Sequence, residues 1–190
     1  MANDAAGRRT PADDTLDEAA SERSALPPIV RAATPRDAPA VAAILNREIA
    51  ETTATWTSTP KTDAEIAALI AARIEAGYDV LVAAAEGEPA VGYAALGPFR
   101  RGEGYASCAE AAVYVAAAMR GRGLGGALLD ALVRRGRRRG FAALIACVGA
   151  DNGGSLALFQ RGGFAEAGRL PGIGRKFGRA LDLVILRRGL

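Results

Sequence analysis

The chain has no histidine, only two cysteines (Cys108 and Cys147), one tryptophan and ten aromatic residues in all among 190. Without imidazole there is no Ser-His-Asp or Cys-His nucleophile arrangement, and no zinc site that depends on histidine. Any chemistry therefore falls to carboxylates, tyrosine, arginine or backbone groups. Both cysteines sit in apolar stretches, where a free thiol behaves as a small core hydrophobe, so no disulfide framework is implied. Cys108 as a nucleophile would lack a histidine to lower its pKa. No run approaches the ~20 uninterrupted apolar residues of a membrane span, and residues 1–28 carry no basic start followed by an apolar stretch. The expectation is a cytoplasmic protein without membrane contact.

What is present is the balance of a globular chain, 50% apolar and 24% charged, with room for one compact domain. The charge is unevenly spread. Residues 1–28 hold three Arg and six Asp/Glu, a net −3, so the remainder carries +6 of the total +3. That segment has no hydrophobic periodicity and ends Leu26-Pro27-Pro28, which reads as a disordered leader ahead of a single domain over 29–190.

Within the domain, Ile29 to Ala33 reads as a short strand, and Thr34-Pro35 as the cap and first position of a helix. Val41, Ile44, Leu45 and Ile49 place that helix's buried face and carry it to about Glu51. Thr52 to Pro60, polar around Trp56, reads as a loop. Thr62-Asp63-Ala64-Glu65 opens a second helix that Gly77 ends. Asp79–Ala85, Ala90–Leu96 and Cys108–Val115 read as three strands, the first two a hairpin. After a glycine-rich turn, Leu124, Leu128, Ala131 and Leu132 mark a helix whose closing arginines (134, 135, 137–139) complement its dipole. A strand Phe141–Val148, a short helix Ser155–Arg161 and strands Phe164–Gly168 and Ala180–Leu186 follow, the last two joined by a basic loop, Arg169–Arg179. The order β-α-α-β-β-β-α-β-α-β-β gives an α/β fold, a mixed sheet covered by helices.

The turn at Gly121, Gly123 and Gly126 satisfies G-x-G-x-x-G, but the preceding strand ends several residues too early for a dinucleotide fold and no acidic residue closes the next strand. No Gly-Lys-Ser/Thr is present for a nucleoside triphosphate loop. Arg120-Gly121-Arg122-Gly123-Leu124-Gly125 instead matches Q/R-x-x-G-x-G/A between a strand and a helix. Such glycines let backbone N–H groups and a helix N-terminus approach a pyrophosphate. Here, and through Ile-Val-Arg-Ala-Ala-Thr at the start, Trp56, Tyr93 to Phe99, Glu110 to Val115, Asn152 and Gly174 to Asp182, the chain resembles the GNAT acetyltransferases, closest to the phosphinothricin-type N-acetyltransferases.

The resemblance spans about Ile29 to Leu186 and implies the GNAT fold, a mostly antiparallel sheet of six to seven strands with about four helices. It implies acetyl-CoA as cofactor, held by Val113, Tyr114, Val115, Arg120, Gly121, Arg122, Gly123, Leu124, Gly125, Gly126, Asn152 and Ser155. The pantetheine arm would pair with Val113 and Val115 like an added strand. It implies no metal, a homodimer, and a small amine as acceptor, bound near Trp56, Phe99, Tyr105, Lys176 and Arg179. Arg100 and Arg101 are further candidates for an acceptor carboxylate or phosphinate.

Glu110 is the sole carboxylate of its strand, flanked by Cys108, Ala109, Ala111 and Ala112, and partial burial there would raise its pKa toward that of a useful base. It matches the family's catalytic glutamate; an ordinary solvent-facing strand residue is the alternative. Asn152 has the alternative of a plain helix cap. The chain departs from the wider superfamily at Phe159, where a tyrosine commonly serves as general acid, so water or Tyr114 would have to substitute. It departs again near Ser107, where a second loop aromatic is expected. Rival readings are acetylation of protein N-termini, an idle acyl-CoA-binding protein, and a nucleic-acid binder prompted by the arginine run. That run lacks interleaved aromatics and lies where a helix end favours cations, so no nucleic-acid partner is expected.

Overall fold

A computed structural model describes residues 28–190; the acidic leader lies outside the described residues, apart from Pro28. The elements are β1 (Ile29–Ala32), α1 (Ala38–Glu51), α2 (Asp63–Glu75), β2 (Val80–Ala84), β3 (Gly92–Pro98), β4 (Cys108–Val115), α3 (Leu124–Arg138), β5 (Ala143–Gly149), α4 (Gly153–Arg161), β6 (Ala165–Lys176) and β7 (Arg179–Gly189). Their order is the one read from the sequence. Thr34 and Pro35 do not open α1 directly: a 3-10 turn, Pro35–Asp37, comes first and Pro39 falls in the helix's first turn, where its missing N–H is tolerated. At α2 the reciprocal cap forms as the sequence implies, Glu65 N–H donating to Thr62 Oγ1 at 3.2 Å and Thr62 N–H to Glu65 Oε2 at 2.8 Å.

The seven strands form one sheet in the order β1-β2-β3-β4-β5-β7-β6, antiparallel at every junction but β4·β5. Alternation sends side chains to two cores. Leu81, Leu96, Ala109, Leu144 and Leu186 pack with Leu128, Leu129 and Leu132 of α3 and Phe159 of α4, while Val80, Val82, Tyr93 and Ala95 pack with Val41 and Ile44 of α1 and Ile66 and Ile70 of α2. The arginines closing α3 have specific work as well as a general dipole role, since Arg139 and Arg135 reach buried Asp79, at the foot of β2, at 3.0 and 3.5 Å.

The basic loop expected over Arg169–Arg179 is instead strand. β6 runs through it to Lys176 and turns in two residues, Phe177 (φ 49°) and Gly178 (φ 73°), into β7. Two left-handed residues make the tight hairpin connection whose twist suits flanking strands. Pro and Gly hid the strand because β6 lies at the sheet edge and its pairing with β7 slips between Leu170 and Gly174, the stretch that contains Pro171.

The parallel junction sets up the site. β4 and β5 pair over only three positions, Cys108↔Ala143, Ala109↔Leu144 and Glu110↔Ile145, although β4 continues to Val115 and β5 to Gly149. Beyond Glu110 the two strands part, and the gap opens toward α3 and α4.

Candidate active site

The gap is a cleft of about 770 Å³ walled by Glu110 to Val115 of β4, Cys147 and Val148 of β5, the glycine turn, the N-terminal turn of α4, and Glu48 with Thr52–Ala54 on the α1 side. Ala116 N–H donates to Val91 O at 2.9 Å, so the even-numbered residues of β4 exchange their bonds with β3. By the same alternation the amides of Val113 and Val115, beyond the last β4·β5 pair, face the gap. They form a strand edge that an extended amide-bearing arm can join.

At the mouth, Gly123 takes a left-handed conformation (φ 80°) and starts α3, and the first bond within the helix is Ala127 N–H to Gly123 O at 3.1 Å. The amides of Leu124, Gly125 and Gly126 precede that bond and have no partner inside the helix. Side-chain atoms added at Gly121, Gly123 or Gly126 would meet nothing within 4 Å, whereas one at Gly125 would stand 3.3 Å from Leu158 Cδ2. Bare amides at a helix start, open to a roomy cleft, suit a pyrophosphate.

Glu110 lies where β4 and β5 part, across from Gly97 of β3. Burial raises its pKa above the usual carboxylate range, and the positive charge of Arg73 works weakly against that. Arg73, from α2, holds its guanidinium over Gly97, 3.6 Å from where a Cβ there would stand. Cys147, also on the cleft wall, is pushed up to about 11 by burial and then by the charge of Glu110. It stays a thiol at neutral pH, which leaves the cleft without a cysteine nucleophile.

Of the residues expected to hold the cofactor, Glu110's neighbours Val113, Tyr114 and Val115 line the cleft, together with Arg120, Gly121, Gly123, Leu124, Gly125, Gly126, Asn152 and Ser155. Arg122 is exposed beside it and is not part of the wall. Asn152 caps α4, its Oδ1 accepting from Ser155 N–H at 3.1 Å, so cap and cleft wall are the same residue. Tyr114 stacks on Tyr93 at 5.0 Å and has its pKa raised by burial, so it keeps its proton. Phe159 is buried edge-on against Phe164 at 5.0 Å and offers no donor.

The residues expected around the acceptor do not line this cleft. Trp56 covers Gly174, where any side chain would run into its ring, and Phe99 packs edge-on against Tyr105 at 6.1 Å under Arg100. Arg179 stands 3.9 Å from Asp151 at the rim. Lys176 is placed differently from the expectation: it is 5% exposed, and its Nζ donates to Thr52 O and Thr55 O at 2.7 Å and to Glu48 O at 3.3 Å. Its three protons are taken up in tying the β6–β7 hairpin to the end of α1 and the threonine-rich loop. Lys176→Met is accordingly expected to lower stability by about 2–3 kcal/mol in urea unfolding.

Glu48 and Arg73 were not singled out from the sequence. For Glu48 a signal existed, because it continues the Val41, Ile44, Leu45 stripe and is the one carboxylate on the apolar face of α1. Arg73 lies in the last turn of α2, where a cation reads as a dipole partner.

Comparison with known proteins gives three results. The model of the acetyltransferase (GNAT) family matches residues 41–164. An L-methionine sulfoximine/L-methionine sulfone acetyltransferase of Pseudomonas paraeruginosa is 39% identical over 161 residues, 85% of this chain and 94% of that one. Among solved structures, a ribosomal-protein-alanine N-acetyltransferase from Brucella melitensis superposes with a TM-score of 0.82 at 41% identity, covering 85% of this chain and 99% of that one. A phosphinothricin acetyltransferase from Sinorhizobium meliloti, solved in complex with acetyl-CoA, gives 0.83 at 32%, covering 87% and 89%.

Proposed function

The chain belongs to the GNAT acetyltransferase family, and we propose that it moves the acetyl group of acetyl-CoA directly to the α-amine of a small amino-acid-like acceptor of the methionine sulfoximine or phosphinothricin type. The observation that carries this reading is the single cleft in which a free strand edge, a bare-amide helix start and a half-buried glutamate converge.

Val113 and Val115 would hold the pantetheine arm through their cleft-side amides, and the turn from Gly121 to Gly126 the pyrophosphate, with Asn152 and Ser155 on the opposite wall. Bound there, acetyl-CoA would supply a thioester whose leaving thiol, with an ordinary pKa of about 8.5, needs no dedicated acid. Glu110 would take one proton from the acceptor ammonium, directly or through one water, so that the amine's lone pair is free to form the C–N bond; the second nitrogen proton would pass to water or to the thiolate released as the C–S bond breaks. Arg73, beside Glu110, supplies a cation for an acceptor carboxylate.

A second reading, acetylation of a protein N-terminal amine, is favoured by the 41% identity to the ribosomal-protein-alanine enzyme. Comparing L-methionine sulfoximine, its decarboxylated amine and an alanine-terminated peptide as acceptors separates the two. The amino-acid reading expects the carboxylate-bearing compound to lead by at least about tenfold in kcat/KM; a leading peptide would overturn it.

The assembly in this reading is a homodimer, supported by the long edge strand β6 with Leu170, Ile173 and Phe177 of its hairpin exposed. Among the described residues no helix is long and apolar enough to cross a membrane, and both cysteines are free. The free thiols support a reducing, cytoplasmic setting.

A further inference from the structure

Glu48 is 4% exposed, in the last turn of α1, and its carboxylate is fully engaged. One oxygen pairs with Arg120, the other accepts from Thr52 Oγ1 at 2.9 Å. Around it the helix end is fixed by Lys176, whose Nζ donates to Glu48 O, and by Ile44 and Ile49, both buried. Arg120 is the opposite kind of residue. It is half-exposed, belongs to the turn that opens the glycine cradle, and spends its Nε on Val115 O at 3.1 Å. Its charge is therefore partnered by Glu48, and its guanidinium is held at the cleft wall.

We propose that Glu48 is a positioning residue that shapes the cofactor turn through Arg120. A buried, immobile carboxylate fixes the guanidinium; the guanidinium fixes Val115 O and, with it, the short turn Ala117–Met119 that leads from β4 to Gly121 and Gly123. Without the carboxylate a half-exposed arginine is drawn into solvent, Val115 O loses its partner, and the cradle is no longer held at one spacing from the strand edge. The inference rests on the reading of Gly121–Gly126 as the pyrophosphate site. It predicts a defect specific to that part of the donor, because the pantetheine half is gripped by β4.

The test compares acetyl-CoA with S-acetylpantetheine, which carries the same thioester and arm but no pyrophosphate. The readout is the ratio of their kcat/KM values, in the full chain, for the native protein, E48A, E48Q, R120Q and E48A/R120Q. E48Q keeps the size of the buried side chain, and R120Q breaks the pair from its half-exposed side, so the comparison does not depend on E48A folding. The expected result is a clear preference of the native protein for acetyl-CoA, reduced about tenfold in E48A and R120Q, less in E48Q, and no further in the double variant. A preference kept in all variants, an equal fall with both donors, or multiplying effects in the double variant would overturn the role of Glu48. A native protein with no preference for acetyl-CoA would instead overturn the pyrophosphate reading of the turn on which it rests.

Discussion

Glu110→Gln is expected to lower kcat by about 10²–10³-fold while leaving the KM for acetyl-CoA within about twofold, because the substitution removes a proton acceptor and touches neither the glycine turn nor the strand edge beyond it. Glutamine fits the same space, so the fold survives. The pH profile carries the sharper signature. Burial raises the pKa of Glu110, and the carboxylate form is the one that accepts a proton. Activity should therefore fall as pH drops through a value above the usual carboxylate range, and that acidic limb should vanish from the residual rate of the variant. Turnover within a few-fold of native, with the limb retained, would take the base away from Glu110. Cys147, whose thiol stands at about 11, offers no covalent route around it at neutral pH.

Gly125→Val is expected to weaken acetyl-CoA binding by about 10²-fold, or ~2.7 kcal/mol, in calorimetric titration. A Cβ at this position already meets Leu158 at 3.3 Å and Val115 at 3.9 Å, and the two further methyls would have to take space at the cleft wall, over the amides proposed to hold the pyrophosphate. Valine's helix propensity is no worse than that of the glycine it replaces, so thermal unfolding should change less than binding. Equal losses in both would mean that the glycine serves packing between α3 and α4, not the cofactor.

The legibility of this chain followed the physics of each segment. Helices α1 and α2 were readable because burial on one face imposes a three-to-four-residue rhythm and because Thr62 and Glu65 mark a cap. Strand β4 was readable to the residue, Cys108–Val115. The hairpin β6–β7 was not, since an edge strand with a pairing slip needs neither alternation nor freedom from proline. At the site, the glycine turn and Glu110 announce themselves through local pattern. Lys176 and Glu48 do not: each is defined by partners far along the chain, Thr52 and Thr55 for the lysine, Arg120 for the glutamate. A surface-seeking lysine in a glycine-rich basic stretch reads as a ligand for an anion, and only the closed hairpin shows it buried on carbonyls.

The most direct measurement is release of free thiol from acetyl-CoA by the purified protein on addition of L-methionine sulfoximine, phosphinothricin and other primary amines, with Glu110→Gln alongside. The account predicts acceptor-dependent release, led by a carboxylate-bearing amine and nearly abolished in the variant. Tight acetyl-CoA binding with no release for any amine would contradict it, and would make the chain an acyl-CoA-binding protein in which Phe159 replaced the last proton donor of an enzyme.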